Sequence, residues 1–134
     1  MRCVLAVCAV FKDEAAYLRE WVEFHQLMGV ERFYLYNNGS DDRYIDAVQM
    51  HIDAGTVVLH EWPRRPAQLD AYEHCLRTHG AETDWLAFID VDEFLFSPKA
   101  KLLPDVLAQY AAYPGVGVNW VMFGSAGHLS LIHI

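Results

Sequence analysis

The chain has 134 residues, enough for one domain, and its 54% hydrophobic and 21% charged residues exclude general disorder. Lys and Arg number 10 against 18 Asp and Glu, and the net charge of −8 with no basic run argues against a nucleic-acid partner. The longest apolar run, residues 3–11, is about half as long as a membrane span and leads into charged residues without a signal-peptide cleavage site. We therefore expect no membrane span in this chain and a cytoplasmic protein.

Hydrophobic patterning predicts a strand and then a helix at the start of the chain. Residues 4–11 are apolar throughout, which is typical of a strand buried on both faces. The next segment repeats apolar residues every three or four positions, which predicts a helix that Asp13 caps and Gly29 ends. Trp21 and His25 lie on the inner face of this helix, and we interpret both as core residues.

The alternation of strand and helix continues along the chain. Pro66 fits the first turn of the third helix, whose predicted apolar face carries Leu69, Tyr72 and Leu76. The further predicted strands cover residues 32–36, 56–60, 85–89 and 116–123, and the further helices begin near residues 44, 66 and 104. This order predicts right-handed βαβ units in a mostly parallel sheet, whose ligands bind where the strands end.

Polar clusters follow three of the predicted strands. Lys12–Glu14 come after the first strand, Asn37–Asp42 after the second, and Asp90–Glu93 after the fourth. Because parallel strands end at one edge of a sheet, we expect the three clusters to converge on one site. Within the second cluster, Ser40 or Asp41 is also a candidate cap for the helix that follows.

The cluster after the fourth strand, Asp90-Val91-Asp92-Glu93, brings three carboxylates together at the end of an apolar strand. Their mutual repulsion is costly unless a cation lies among them or water solvates them. Hard oxygen ligands suit Mg²⁺ or Mn²⁺, and such an ion completes its shell with substrate phosphates. A solvated acidic turn is the alternative, but a buried strand end that faces two other polar loops favours the metal site.

Several motifs, taken in order, carry a resemblance to a known family. They are Lys12-Asp13-Glu14, Tyr17-Leu18-Arg19-Glu20-Trp21 with His25, Gly29-Val30, Phe33 to Asn38 with Ser40-Asp41-Asp42, Gln68 with Ala71, Tyr72 and Cys75, Trp85 to Leu95, Val118-Asn119-Trp120, Phe123-Gly124-Ser125 and Gly127-His128. Over residues 3–128 the chain resembles nucleotide-sugar glycosyltransferases of the GT-A fold, especially glycosyltransferase family 92 and the family-2-like bacterial enzymes.

The resemblance implies a GT-A-like, Rossmann-like α/β fold, in which residues 1–128 form one domain that is incomplete at its C-terminus. A mostly parallel sheet would be flanked by helices. The implied protein is a bacterial enzyme of polysaccharide biosynthesis that transfers a sugar, with inversion, from a nucleotide-sugar donor to a saccharide or glycolipid hydroxyl. A UDP-sugar such as UDP-galactose is the implied donor, and Mn²⁺ or Mg²⁺ is the implied cofactor.

The resemblance also assigns roles to single residues. Asp92 would bind the ion that bridges the diphosphate, and Asp90 would hold the donor ribose or complete the ion's shell. The residues implied to bind the nucleotide sugar are Glu14, Asn38, Ser40, Asp41, Asp42, Gln68 and Asp90. His128 is a candidate third metal ligand. The catalytic base is unknown, because inverting enzymes of this fold commonly carry it beyond the D-x-D region, and Glu93 is the only neighbouring candidate.

The end of the chain departs from the resembled family, whose members continue past Gly127-His128. Leu129-Ser130-Leu131-Ile132-His133-Ile134 is the peptide that a transposon adaptor common in sequencing libraries encodes in one frame. We therefore expect residues 1–128 to be a natural N-terminal fragment and residues 129–134 to be a non-native tail. An independent read of the full gene tests this expectation.

Two alternative functions remain open at this point. A phosphohydrolase of the haloacid-dehalogenase type also carries D-x-D at a strand end, but normally on its first strand, and Glu93-Phe94 do not match the small hydroxyl or branched residue that it places next. A non-catalytic nucleotide-sugar-binding fragment is the other. Donor hydrolysis with added Mn²⁺ separates an enzyme from a binder.

Overall fold

The computed structural model describes residues 2–99 and 101–122, and these form four strands, four α-helices and one short 3₁₀ helix. The strands are β1 (Cys3–Phe11), β2 (Arg32–Asn37), β3 (Val57–Glu61) and β4 (Thr83–Phe88). The α-helices are α1 (Ala15–Leu27), α2 (Tyr44–Asp53), α3 (Gln68–His79) and α4 (Leu103–Ala108), and the 3₁₀ helix covers Gly80–Glu82. Within these ranges no helix has the length and apolar composition needed to cross a membrane.

All four strands are parallel and lie in the order β3-β2-β1-β4. Side chains of α1 and α2 pack on one face of this sheet, and α3 packs on the other. The predicted α/β class, a single domain with a parallel sheet between helices, is confirmed. Because β1 is central, the loop after it lies between the loops that follow β2 and β4.

The unbroken apolar sequence of β1 follows from its position. Leu5, Val7 and Phe11 join the core under α1, whereas Ala6 and Cys8 join the core under α3. A strand that is covered on both faces needs apolar residues at every position, and the predicted two-sided burial is therefore confirmed.

Gly29 ends α1, as predicted, and two features of the structure require that this residue has no side chain. Its φ of +102° lies in the left-handed region, where a Cβ is strained. A Cβ at this position would also lie 2.6 Å from the Cδ of Pro104, in the first turn of α4. Gly29 therefore both turns the chain and lets α4 approach.

The predicted apolar face of α3 is wrong at Leu69 and Leu76, whereas Tyr72 packs against the core as predicted. Leu69 and Leu76 are 77% and 57% exposed, and the buried face instead carries Ala71, Cys75 and His79. The sheet face below α3 already carries the large side chains Tyr34 and Tyr36, so small residues are the ones that let the helix approach. In addition α3 begins at Gln68, two residues after Pro66.

The predicted fifth strand over residues 116–123 is also not found in the part that the structure describes. Residues 116–122 have no strand pairing, and Phe123 lies outside the described residues. Within the described ranges β4 pairs with β1 alone, so it is an edge strand, and Phe88 at its end is 39% exposed. The expectation of a buried strand end before the acidic cluster is therefore wrong.

Candidate metal centre

Three carboxylates gather in the turn after β4. Asp90, Asp92 and Glu93 each offer an oxygen, and these oxygens all lie within 4.8 Å of one another. The turn is closed by the Glu93 N–H, which donates to the Asp90 carbonyl at 3.1 Å. The cluster contains Glu93 as well as the two predicted aspartates, and hard oxygen donors of this kind fit Mg²⁺ or Mn²⁺.

The electrostatics of the site are those of crowded negative charge. Burial and then the neighbouring Asp90 raise the pKa of Glu93, and Asp92 adds to the effect. Burial likewise raises the pKa of Glu14, followed by the charges of Asp92, Asp42 and Asp13. A bound cation relieves repulsion of this kind, so the residues present fit a divalent ion. Glu14, in the loop after β1, lies close enough to the cluster for the charge of Asp92 to affect its pKa.

The loops after β1 and β2 are joined by hydrogen bonds in which backbone N–H groups donate to side-chain oxygens. The Asp13 N–H donates to Ser40 Oγ at 2.9 Å, and the Asp41 N–H donates to Asp13 Oδ1 at 2.8 Å. The Ala15 N–H, at the start of α1, donates to Asp42 Oδ2 at 2.9 Å. The predicted meeting of these two loops is confirmed, and three hydrogen bonds fix their geometry.

Both predicted helix caps are wrong for the same reason. Asp13 has a φ of 55°, and its carboxylate accepts from the second loop and not from α1. No side chain caps α2, whose N-cap position is Arg43, so neither Ser40 nor Asp41 has the predicted role. Asp42 supplies the cap of α1 from the neighbouring loop. A cap predicted from sequence is assumed to lie next to the helix that it caps. Here the loop after β1 and the loop after β2 bond each other instead.

Two further predicted residues are held at the same edge. Gln68, the first residue of α3, donates from Nε2 to Asp90 Oδ1 at 3.2 Å and to the Tyr72 hydroxyl at 2.9 Å. Asn38 donates from Nδ2 to the carbonyls of Trp62 and Arg64, at 2.8 and 2.9 Å. Gln68 is thus brought to the acidic cluster, whereas the amide nitrogen of Asn38 supports the loop after β3.

Helix α1 holds the chain that follows the acidic cluster. Trp21 Nε1 donates to the Glu93 carbonyl at 2.8 Å, and the Leu95 N–H donates to His25 Nε2 at 3.0 Å. The interpretation of both side chains as core residues is confirmed, since each is fully buried. Their contact with the acidic segment was not predicted, although two polar-tipped residues one helical turn apart on an apolar face were a signal for it.

The remaining predictions concern the end of the chain. His128 lies outside the described residues, as do residues 129–134, and Trp120 is 75% exposed. Of the motifs from Trp120 onwards that carry the resemblance, the structure describes residues 120–122, and these have no strand pairing.

Comparison with known proteins places the chain among glycosyltransferases. The profile of glycosyltransferase family 92 matches residues 2–129. A glycosyltransferase family 92 protein of Oryza sativa subsp. japonica is 36% identical over 115 residues, which cover 84% of this chain and 20% of that protein. Galactan beta-1,4-galactosyltransferase GALS3 of Arabidopsis thaliana is 30% identical over 107 residues, covering 72% of this chain and 21% of that protein.

A solved structure shares the fold. Residues 1–349 of S. aureus TarS superpose with a TM-score of 0.52 at 14% identity, covering 90% of this chain and 39% of that one. The chain spans about a fifth of the curated relatives it matches. Those relatives are plant proteins, which conflicts with the expected bacterial origin. With the profile match extending over nearly its whole length, the chain belongs to glycosyltransferase family 92.

Proposed function

We propose that this chain is the donor-binding part of a metal-dependent glycosyltransferase that passes a sugar from a UDP-sugar to a saccharide or glycolipid hydroxyl. The observation that carries the proposal is the three-carboxylate cluster beside the hydrogen-bonded loops after β1 and β2, since the charge of Asp92 contributes to the raised pKa of Glu14 in the first of these loops. The relative named as a galactan galactosyltransferase supports UDP-galactose as the donor and a galactan-like saccharide as the acceptor. A phosphohydrolase has no support from the family.

In this proposal Asp90, Asp92 and Glu93 hold Mn²⁺ or Mg²⁺. When bound, the ion acts as a Lewis acid that neutralises the charge developing on the leaving nucleoside diphosphate. Gln68 keeps the Asp90 carboxylate oriented through the bond from its amide nitrogen. Burial and the neighbouring Asp90 raise the pKa of Glu93, and a bound cation would favour the charged carboxylate that both effects disfavour.

The nucleoside would lie against the loops after β1 and β2. Ser40 accepts the Asp13 N–H at its Oγ, which leaves its hydroxyl hydrogen for a ligand acceptor. One oxygen of Asp42 caps α1, and the other, Oδ1, is buried without a partner among the described residues. A ribose hydroxyl or a base N–H is the kind of donor that satisfies such an acceptor. Glu14 and Asp41 would line the same pocket.

Inversion requires a group that takes the acceptor's proton. Glu93 is assigned here to the metal, so we place the base in a further part of the longer family protein. A non-catalytic donor-binding fragment is the second candidate for this chain as it stands, and the observation that favours it is its coverage of about a fifth of its relatives. Hydrolysis of UDP-galactose in the presence of Mn²⁺ distinguishes the two, because only an enzyme releases galactose.

The metal proposal is tested by titrating UDP into the wild type and Asp92→Asn at a fixed Mn²⁺ concentration. We expect the variant to bind UDP more than about tenfold more weakly, which corresponds to about 1.4 kcal/mol. Asp53→Asn is the matched control, because Asp53 ends α2 at the opposite edge of the sheet and bonds only Gln49 among the described residues. Equal UDP affinity for the wild type and Asp92→Asn would count decisively against the metal site.

A further inference from the structure

We propose that His25 is a positioning residue that fixes the metal-binding segment, by accepting the backbone N–H of Leu95 immediately beyond the carboxylate cluster. The inference rests on the proposed function, because it gives His25 a role in metal affinity. His25 itself touches neither the carboxylates nor the loops after β1 and β2. The basis of the inference is the geometry of two hydrogen bonds between α1 and the segment after β4, and of a third bond within α1 that orients the imidazole.

The protonation of the His25 ring follows from its partners. Nδ1 lies 2.8 Å from the Trp21 carbonyl, which can only accept, so Nδ1 carries the hydrogen. Nε2 lies 3.0 Å from the Leu95 amide nitrogen, which can only donate, so Nε2 carries none. The ring is therefore neutral, and its burial agrees with this by lowering the pKa of the imidazole.

Together with Trp21, the histidine fixes the backbone on both sides of Phe94. Trp21 Nε1 donates to the carbonyl of Glu93 at 2.8 Å, and His25 accepts from Leu95. Between these two bonds the Phe94 ring lies parallel to the imidazole, with centroids 5.8 Å apart and planes 14° apart. The backbone that carries the third carboxylate is thus attached to the buried face of α1.

A role in packing alone does not explain the choice of histidine. An imidazole buried among apolar groups is costly unless both of its nitrogens are paired, whereas an aliphatic side chain fills the same space without that requirement. Here both pairings are made, and one of them reaches the segment that bears the proposed metal ligands. Groups that orient metal ligands in this indirect way commonly change metal affinity by about 10–100-fold when they are removed.

Two substitutions of His25 separate positioning from packing. In His25→Gln the side-chain oxygen reaches the place of Nε2 and still accepts the Leu95 N–H. In His25→Asn the shorter amide reaches only the place of Nδ1, so it keeps the bond to the Trp21 carbonyl and leaves the Leu95 N–H unpaired. Val22→Ala, a truncation at another fully buried position of α1, is the control for a loss of stability alone.

Each variant is titrated with Mn²⁺ at neutral pH, and the exchange rate of the Leu95 amide proton is measured in the metal-free protein. For His25→Asn we expect Mn²⁺ affinity to fall by about 10–100-fold and Leu95 exchange to accelerate. His25→Gln should stay close to the wild type in both, and Val22→Ala should melt at a lower temperature with unchanged Mn²⁺ affinity. Unchanged Mn²⁺ affinity in folded His25→Asn overturns the proposal, and so do equal losses in the Gln and Asn variants.

Two further results keep the test decisive. If His25→Asn does not fold, Trp21→Phe removes the donor to the Glu93 carbonyl, and wild-type Mn²⁺ affinity in that variant overturns the proposal. If the wild type binds no Mn²⁺, the proposed metal site fails by itself. Leu95 exchange then still decides whether His25 fixes the segment, because rates that are equal in the wild type and His25→Asn contradict the attachment.

Discussion

The two faces of the sheet bury their side chains by different means. Under α1 the core is aliphatic and aromatic, built around side chains such as Leu18, Trp21 and Phe33. Under α3 it is made of tyrosines, cysteines, alanines and a tryptophan, and histidines border it. On the first face the buried polar side chains Trp21 and His25 bond to backbone groups, whereas the second face also depends on hydrogen bonds between side chains.

The hydrogen bonds on the α3 side form a chain that runs from β3 to β2. His60 Nε2 lies 2.9 Å from His79 Nε2, and His79 Nδ1 lies 3.2 Å from Glu82 Oε2. The same oxygen of Glu82 accepts the Tyr34 hydroxyl at 2.7 Å. Because a carboxylate can only accept, His79 donates to Glu82 from Nδ1, and in the neutral imidazole its Nε2 then accepts from His60 Nε2–H. This face therefore contains titratable groups whose protonation affects folding.

Each face also supports the candidate site in its own way. The α1 side holds the acidic segment through the buried bonds of Trp21 and His25, and the α3 side reaches Asp90 through the exposed amide of Gln68. A water molecule can replace an exposed bond, whereas a buried one has no such substitute. We therefore expect the α1 face to matter more for the proposed metal site and the α3 face to matter more for the response to pH.

The largest effect is expected from Phe33→Ala, on the α1 face. Phe33 is fully buried, and its ring lies edge-on to Trp21 at 5.7 Å. The lost contacts and the cavity should lower the free energy of unfolding by about 3–5 kcal/mol. Urea unfolding of the variant measures this loss. A loss below about 1 kcal/mol would mean that the face relaxes around the cavity, and the contrast between the two faces would then not hold.

A smaller effect is expected from Tyr34→Phe, one residue further along β2 and on the opposite face. The variant keeps the ring stacked on His79 and loses the hydroxyl, which bonds Glu82 and also interacts with Arg32; the bond to Glu82 is worth about 1 kcal/mol near neutral pH. That bond is the main cause that lowers the pKa of Glu82 in the folded chain. The difference between wild type and variant should therefore shrink as the pH falls below the ordinary value of 4.5 and Glu82 is protonated. Denaturant unfolding at several pH values measures it, and a difference that does not change with pH would contradict the role of Glu82.

The sequence predicted the fold well where burial alone decides it. The apolar run of β1 and the periodic face of α1 both indicate their elements correctly, because burial there needs only hydrophobic side chains. The face of α3 was predicted wrongly because Ala71 and Cys75 are small, and their burial depends on the tyrosines opposite them. Such a match between facing surfaces is not contained in the periodicity of one segment.

The candidate site shows the same limit. Asp90, Asp92 and Gln68 were predicted and meet in the structure. The cap that Asp42 gives to α1 and the bond from Leu95 to His25 were not predicted, since both join residues far apart in the sequence. Motifs identify groups that carry chemistry, whereas their supports depend on which elements are neighbours in the folded chain.

Asp42→Ala should separate the contribution of the loop after β2 to stability from its contribution to nucleotide binding. Removing the cap of α1 is expected to lower the free energy of unfolding by about 1 kcal/mol, whereas Asp41→Ala keeps the backbone donor that bonds Asp13 and should change stability little. If Asp42 also accepts from the nucleoside, UDP binding weakens by about 1–3 kcal/mol. Thermal melts and UDP titrations of both variants measure this, and unchanged UDP affinity in both would leave the loop with the role of a helix cap alone.

The smallest effect is the pH response that His60 adds to the α3 face. Burial lowers the pKa of its imidazole, and the neighbouring His79 and His74 lower it further. The unfolded chain therefore binds more protons than the folded chain as the pH falls below the ordinary histidine pKa of about 6.5, and stability is lost from that pH downwards. His60→Gln keeps a donor for His79 and removes the titration, so its melting temperature should fall less than that of the wild type between about pH 7.5 and pH 5.5. Equal shifts for the two proteins would assign the acid sensitivity to other groups, because His25 and His74 also have lowered pKa values and remain in both proteins.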